Sequence, residues 1–478
     1  MATKMSLLAF VDQAQQLPET RVAVVRKQDY KEIYGNFDSH MAAVQASRCS
    51  QCGVPFCQIH CPLGNNIPDW LKLTAEGRLE EAYEVSSATN TFPEICGRIC
   101  PQDRLCEGNC VIEKGFESVT IGSIEKYITE TAFQMGWVKT PKPAHENGMS
   151  VGIIGAGPAG LSAAEALRRK GYAVHIYDRY DRVGGLLIYG IPEFKLEKHI
   201  VERRRALLEK AGILFHLNIE IGRQTTLEAL RSQHSAVLIA TGVYKAREMD
   251  IPGNALAGVT PALDYLTASN RVCLGDTVKE YESGALNARD KHVVVIGGGD
   301  TAMDCVRTAV RQGAKKVTCL YRRDRTNMPG SAREVKNAED EGVEFLWLSA
   351  PKAFIGTQKI ENILATKMRL TAPDRSGRQN VTALGNAEFT LKADMAIAAL
   401  GYDADNVPTA FGAPELHVSP SGTLAVNAVS QMTSLPGVFA AGDIARGASL
   451  VVWAIKDGRD AAEGIHTWVK TQSIDQEV

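Results

Sequence analysis

The sequence predicts an α/β protein in which an N-terminal helical domain precedes two doubly wound, parallel-sheet domains. Three observations carry that expectation. Two stretches, "VGIIGAGPAGLSAAEALRRKGYAVHIYD" from Val151 and "KHVVVIGGGDTAMDCVRTAVRQGAKKVTCLYRR" from Lys291, follow one plan about 140 residues apart. Each runs from β-branched residues through glycines and a helix-forming segment to a second β-branched run, the alternation that implies a parallel sheet. The third observation is that eight of the eleven cysteines lie between positions 49 and 110, ahead of both stretches.

The totals agree with several domains. A chain of 478 residues is too long for one compact core. With 45% hydrophobic and 23% charged residues and a formal net charge of −2, composition is that of a soluble globular protein. That charge gives no reason to expect nucleic acid or an anionic membrane as partner. No apolar run approaches the roughly 18 residues of a membrane span. The opening "MATKMSLLAFVDQAQQLPET" holds only the apolar patch Leu7 to Val11 and no cleavage-site pattern, so no secretory signal is expected. A cytoplasmic chain follows, with its thiols reduced.

Residues 1–145 form the expected helical domain. In "IPDWLKLTAEGRLEEAYEVSSAT", Trp70, Leu73, Leu79 and Ala82 recur at helical spacing. "SIEKYITETAFQMGW" opens on Ser123 as an N-cap, with Ile124, Ile128 and Phe133 along one side. The polar "TPKPAHENG" reads as a linker. Residues 146–280 and 403–478 are then two parts of one discontinuous domain, interrupted by a second domain at 281–402. The stretch 355–395 looks polar and is expected to be a surface connection of the second domain.

In "IIGAGPAG", Gly155, Gly157 and Gly160 fit GxGxxG between a strand and a helix. The first glycine allows the tight turn, the second lets a pyrophosphate approach, and the third lets helix and strand pack closely. Phosphates then meet the N–H groups and dipole of the helix N-terminus. Asp178, ending the second strand, stands where ribose hydroxyls are bound, which turns a weak signal into a strong one. A glycine-rich turn without ligand is the bland alternative. Gly184 and Gly185 of "RVGGLL" and Asp443 of "GVFAAGD" resemble further FAD-holding motifs of two-dinucleotide-domain flavoproteins. "ATG" at 240–242, with Thr241, and "ALGYD" at 399–403 fit the crossovers between their domains. FAD is the expected ligand.

The second fingerprint is GxGxxA: Gly297, Gly299 and Ala302, with Asp300 opening the helix. Its second strand ends in Arg322 and Arg323 where an NAD site would carry an acid, so guanidinium groups can pair with a 2′-phosphate and NADPH is favoured. The alternative is that the arginines are merely solvated, and Asp324 adjoins them. Hydride transfer from nicotinamide to flavin needs near-contact geometry rather than an acid or base, so no catalytic side chain is assigned.

The cysteines form two sets. Cys49, Cys52, Cys57 and Cys61 are spaced x2, x4 and x3 and followed by Pro62. Cys96, Cys100, Cys106 and Cys110 are spaced x3, x5 and x3, with Pro101 after the second. Eight suffice for two [4Fe–4S] clusters or two zinc ions. The spacing resembles the ferredoxin run C-x2-C-x2-C-x3-C-P, with two extra residues. A flavin beside a nicotinamide gives clusters a purpose, since they divide a two-electron delivery into single electrons. Structural zinc, and one cluster with spare cysteines, stay open as alternatives. In two-cluster ferredoxins the fourth cysteine serves the other cluster. That logic groups Cys49, Cys52 and Cys57 with Cys110, and Cys61 with Cys96, Cys100 and Cys106; a local grouping of each set is the alternative. His60 is expected to be a loop residue, Cys305 and Cys319 core residues, and Cys273 part of a polar connector.

Together "RCSQCGVPFCQIHCPLGNNIPDWLKL", "CGRICPQDRLCEGNC", "GAGPAG", "GGLLIYGIPEFKLEK", "GGGDTAMDCVRT" and "AAGD" resemble, over essentially the whole length, the small (β) subunits of bacterial NADPH-dependent glutamate synthases. The resemblance implies electron flow from NADPH through FAD and clusters to a large, FMN-containing (α) subunit that makes two glutamates from glutamine and 2-oxoglutarate. It supports the crossed cysteine grouping. The module is also similar to the electron-input part of dihydropyrimidine dehydrogenase and to related flavoprotein subunits, so a different electron acceptor is the second reading. A zinc-stabilised flavoprotein with a cysteine-rich interaction domain is the third. The chain has no cysteine before Cys49 for amidotransferase chemistry and no room for an FMN-binding barrel.

Overall fold

A computed structural model describes residues 7–374, 377 and 379–477. The N-terminal part is helical: Ser39–Ser47, Ile67–Ala75, Leu79–Thr89 and Ile121–Gln134 pack around Trp70, Leu71, Ile124 and Ile128, and Pro93–Ile99 lies against Ile121–Gln134. Asp38 caps the first of these, its carboxylate accepting the Met41 N–H at 2.7 Å. The helical spacing at Trp70, Leu73, Leu79 and Ala82 is carried by two helices, Ile67–Ala75 and Leu79–Thr89. Gly77, at φ +77°, ends one and turns the chain into the next, with the Arg78 N–H on the Leu73 carbonyl. Ser123 is not a cap either. The helix begins at Ile121, because Ile121 and Ile124 share the buried stripe, and Ser123 lies inside the first turn.

The first five-stranded sheet is wholly parallel. Its order is Val438–Ala440, Ala236–Ile239, Ser150–Ile154, Ala173–Asp178, Leu214–Leu217. The strand nearest the C-terminus thus completes a sheet begun near residue 150, the expected discontinuity. The second sheet repeats the plan with Val259–Pro261, Met395–Ala398, His292–Ile296, Lys316–Leu320 and Glu344–Leu346. Its edge strand Val259–Pro261 precedes the boundary expected at 281, so the second domain starts some twenty residues earlier than the glycine motif alone indicates. At the two crossovers, Lys245–Ala246 pairs antiparallel with Tyr402–Asp403.

The stretch 355–395 is not a connection. Ser349–Ile355, Asn362–Pro373 and Gln379–Lys392 form an antiparallel sheet. Its alternating pattern turns Phe354, Ile363 and Ala365 onto Val294, Ile296 and Leu320, while the other face stays wet.

The domains are knotted together. Helix Pro93–Ile99 contributes Ile95, and Phe92 just before it, to the core of the first parallel sheet. At the second domain Arg307 and Arg311, on helix Asp300–Arg311, bind Glu341, and Arg26 from the N-terminal domain binds the same carboxylate at 2.9 Å. Phe194, from the first sheet's domain, lies against both guanidinium groups at 4.6 and 3.9 Å, and Lys195 pairs with Asp304 at 2.8 Å. Among the described residues no helix is long and apolar enough to cross a membrane.

Candidate functional site

The first glycine turn opens on a cavity of about 450 Å³, lined among others by Gly155, Gly157, Asp178, Gly185, Thr241, Tyr244 and Asp443. Gly155 has φ +112°, and a Cβ there would stand 2.3 Å from the Ala240 carbonyl oxygen, so no other residue fits. A Cβ on Gly157 would meet nothing within 4 Å, which leaves that face of the turn free for a ligand. Gly157 caps helix Pro158–Arg169, whose first N–H groups end at the cavity. Gly160 packs the helix on the turn, and Gly184 leads into the loop that carries Gly185 past Gly157.

Asp178 is buried and accepts N–H bonds from Ala156 at 2.6 Å and Tyr180 at 2.8 Å; burial still holds its carboxyl above the usual range. Asp443 accepts from the Ser449 hydroxyl at 3.1 Å, and burial raises it to about 6. The Thr241 hydroxyl is buried with no partner among the described residues, an orphan that a ligand in this cavity would satisfy. The dimensions, the free turn and this orphan fit a dinucleotide such as FAD. Sequence reasoning missed Tyr244 and Arg179. The Arg179 guanidinium lies over the Tyr180 and Tyr244 rings at 5.0 and 4.7 Å, closing one wall.

In the second domain Gly297 has φ +147° and Gly299 caps helix Asp300–Arg311, again with open space beside Gly299. Asp300 accepts the Ser331 N–H at 2.9 Å and pairs with Arg104 at 3.0 Å. Arg322 is exposed at the end of strand Lys316–Leu320, free to meet an anion. Arg323 is buried instead, its Nε donating to the Gln379 carbonyl at 2.9 Å.

The cysteines surround two small enclosed cavities, and the grouping is the crossed one. Cys49, Cys52, Cys57 and Cys110 line one; Cys61, Cys96, Cys100 and Cys106 line the other. The chain achieves this because Cys61 ends the first motif beside helix Ile67–Ala75, facing helix Pro93–Ile99, while Cys110 runs back toward Cys49. The four thiols of each set stand along the cavity walls. Burial pushes Cys49 up to about 11 and Cys57 to about 12, a penalty that coordination of the thiolates to a metal would offset. His60 is exposed, its Nδ1 paired with the Phe56 carbonyl at 2.9 Å, and lines neither cavity. Cys305 and Cys319 are buried core residues. Cys273, expected in a connector, ends helix Ala262–Cys273.

Two parallel-sheet domains with paired glycine turns, behind a cysteine-lined helical domain, define a pyridine nucleotide oxidoreductase carrying an iron–sulfur module. Residues 149–458 match the family described as pyridine nucleotide-disulphide oxidoreductase, and residues 26–137 match dihydropyrimidine dehydrogenase domain II, 4Fe-4S cluster. The chain is 63% identical over 468 residues to the glutamate synthase [NADPH] small chain of Azospirillum brasilense, covering 98% of this chain and 97% of that one. It is 45% identical to that of Escherichia coli (strain K12), covering 96% and 98%. Among solved structures, FprA of Mycobacterium tuberculosis in complex with NADPH has the same fold with a TM-score of 0.59 at 20% identity, over 69% of this chain and 86% of that one. The chain belongs to the family of bacterial glutamate synthase [NADPH] small chains.

Proposed function

We propose that the chain is the electron-input subunit of a glutamate synthase. It oxidises NADPH at FAD and passes electrons through two [4Fe–4S] clusters to a large subunit that makes two glutamates from glutamine and 2-oxoglutarate. The observation that carries this reading is the succession of cavities. Leu450, Val451 and Ala454, at the start of helix Val451–Glu477, line the flavin cavity, while Val452 on the same turn lines the cavity of Cys61, Cys96, Cys100 and Cys106. Ile121 lines that cavity and the one of Cys49, Cys52, Cys57 and Cys110. One helical turn and one isoleucine side chain thus separate the three sites.

When bound, the flavin accepts a hydride and the clusters carry single electrons. The residues of this chain hold these groups and keep water out. Gly155, Gly157, Gly160, Gly184 and Gly185 admit the FAD pyrophosphate. Asp178 faces its ribose, and Thr241 and Asp443 its remaining polar groups. Gly297, Gly299 and Asp300 form the NADPH turn; Arg322, with Arg323 behind it, meets the 2′-phosphate. Each set of four thiols holds one cluster. A cytoplasmic location goes with this reading, since free thiols and clusters persist in a reducing compartment.

The test is Cys57→Ser in the full chain, prepared anaerobically with whatever large subunit it draws from its own cells. NADPH should still bleach the flavin, while glutamate formation by the pair falls by about a hundredfold or more, as expected when one relay is lost. Unimpaired delivery would refute the relay. Capture of a ferredoxin or another oxidoreductase chain, in place of a glutamate-forming subunit, would move the acceptor.

A further inference from the structure

The turn that receives NADPH is touched by the cysteine-rich domain. Between Cys100 and Cys106 runs "PQDRL", and three side chains of this region reach segment 329–333 of the nucleotide domain. Asp103 accepts from the Ser331 hydroxyl at 3.0 Å and the Ala332 N–H at 2.9 Å. Glu107 binds Arg333 at 3.0 Å. Arg104 donates to the Pro329 carbonyl and to the Asp300 carboxylate, the latter at 3.0 Å. Segment 329–333 lies on the glycine turn itself, with the Gly330 N–H on the Gly298 carbonyl at 2.9 Å.

Arg104 differs from its neighbours in this contact. Asp103 and Glu107 already tie the segment down through N–H, hydroxyl and guanidinium donors. Asp300, however, is the first residue of a 12-residue helix whose N-terminus would take the phosphates. An unopposed carboxylate there repels the anion that the turn is shaped to receive. Arg104 lies on that carboxylate with its own side chain 40% exposed, and nothing stands within 4 Å of a Cβ built on Gly299, the residue before Asp300.

We propose that Arg104 is a nucleotide-binding residue lent by the iron–sulfur domain: its guanidinium offsets Asp300 and pairs with the pyrophosphate of NADPH. The inference rests on the reading of this turn as the NADPH site. The same loop ends on two thiols of one cysteine cavity, so the domain that receives the electrons also helps hold their donor.

The experiment is calorimetric titration of the full-length, flavin- and cluster-loaded chain with NADP+ and with adenosine 2′-monophosphate, which has the 2′-phosphate but no pyrophosphate. Arg104→Ala should weaken NADP+ by about tenfold or more, the size of a lost charge-assisted contact, and leave the monophosphate unchanged. Arg104→Lys should recover part of the loss. Should Arg104→Ala fail to hold flavin, the neutral Arg104→Gln takes its place with the same expectation. Asp103→Asn loosens the same domain contact but keeps the cation, and should leave the ratio of the two affinities as in the wild type. Equal weakening of both ligands by Arg104→Ala would make Arg104 a mere strut, and no weakening at all would remove it from the site. A wild-type chain that bound neither ligand would overturn the nucleotide reading beneath the proposal.

Discussion

The two parallel-sheet domains share a strand plan and a glycine turn, yet they treat the space beside that turn differently. Gly155 and Gly297 are sterically equivalent: a Cβ would stand 2.3 Å from the Ala240 carbonyl oxygen in one and 2.2 Å from that of Ala399 in the other. Around the first turn the chain closes walls, with Asp178 buried, Arg179 across two tyrosines, and a final strand and helix brought back from the C-terminus. Around the second, Arg322 is exposed, Asp300 is 33% exposed, and the cover is borrowed from another domain. A walled site suits a group that stays. An open one suits a molecule that must leave after every turnover.

The largest effect that could break this comparison comes from putting the same side chain into both turns. Gly155→Val should yield a chain without flavin. Gly297→Val should keep its yellow flavin while NADPH reduces it about a hundredfold more slowly or worse, the scale of an ångström-sized misplacement. Visible absorbance and anaerobic stopped-flow reduction read both, and loss of flavin in the Gly297 variant would erase the distinction. A smaller effect sharpens the open site. Arg322→Ala should lower the ratio of kcat/KM for NADPH over NADH by about ten- to a hundredfold, the worth of a charge-assisted pair. An unchanged ratio would show that another cation reads the 2′-phosphate.

The smallest effect concerns the walled site. Burial raises Asp443 to about 6, so the folded, flavin-free chain favours the protonated acid. Its contribution to stability is therefore present below about pH 4 and lost as pH rises toward about 6. The Tm of flavin-stripped protein should carry that decline, and Asp443→Asn should remove it. The same slope in both proteins would assign it to other groups.

What the sequence disclosed and what it concealed divide along sequence distance. The glycine turns, the place of Asp178 beside the first of them and the exposed Arg322 beyond strand Lys316–Leu320 were legible as positions because each motif is complete within about thirty residues and obeys one periodicity, whereas the burial of Arg323 was not. The crossed cysteine grouping was legible by likeness to ferredoxins. The antiparallel sheet of 349–392 was passed over although its alternation marks half-buried strands, because the partner of its buried face, Val294, Ile296 and Leu320, lies in the preceding glycine-turn unit. Thr241 stood in a recognisable crossover, but nothing in "ATG" tells that its hydroxyl is left unpaired. The contact of Arg104 with Asp300 joins residues 196 positions apart, and no local pattern announces such a pair. Ser123 failed as a cap for a simpler reason: the buried stripe of its helix starts two residues earlier.

The knot at Glu341 has a consequence in time. Arg26 is made early and its carboxylate partner 315 residues later. At a ribosomal rate of about 5–20 residues per second, that interval is about 15–60 s. Until it closes, Arg26 must stay hydrated, because a guanidinium buried without its partner costs about 3–5 kcal/mol. The first sheet waits longer still, for Val438–Ala440. The N-terminal segment thus reaches its final seat only once Glu341 is made, and the first sheet, begun before the second, is completed after it.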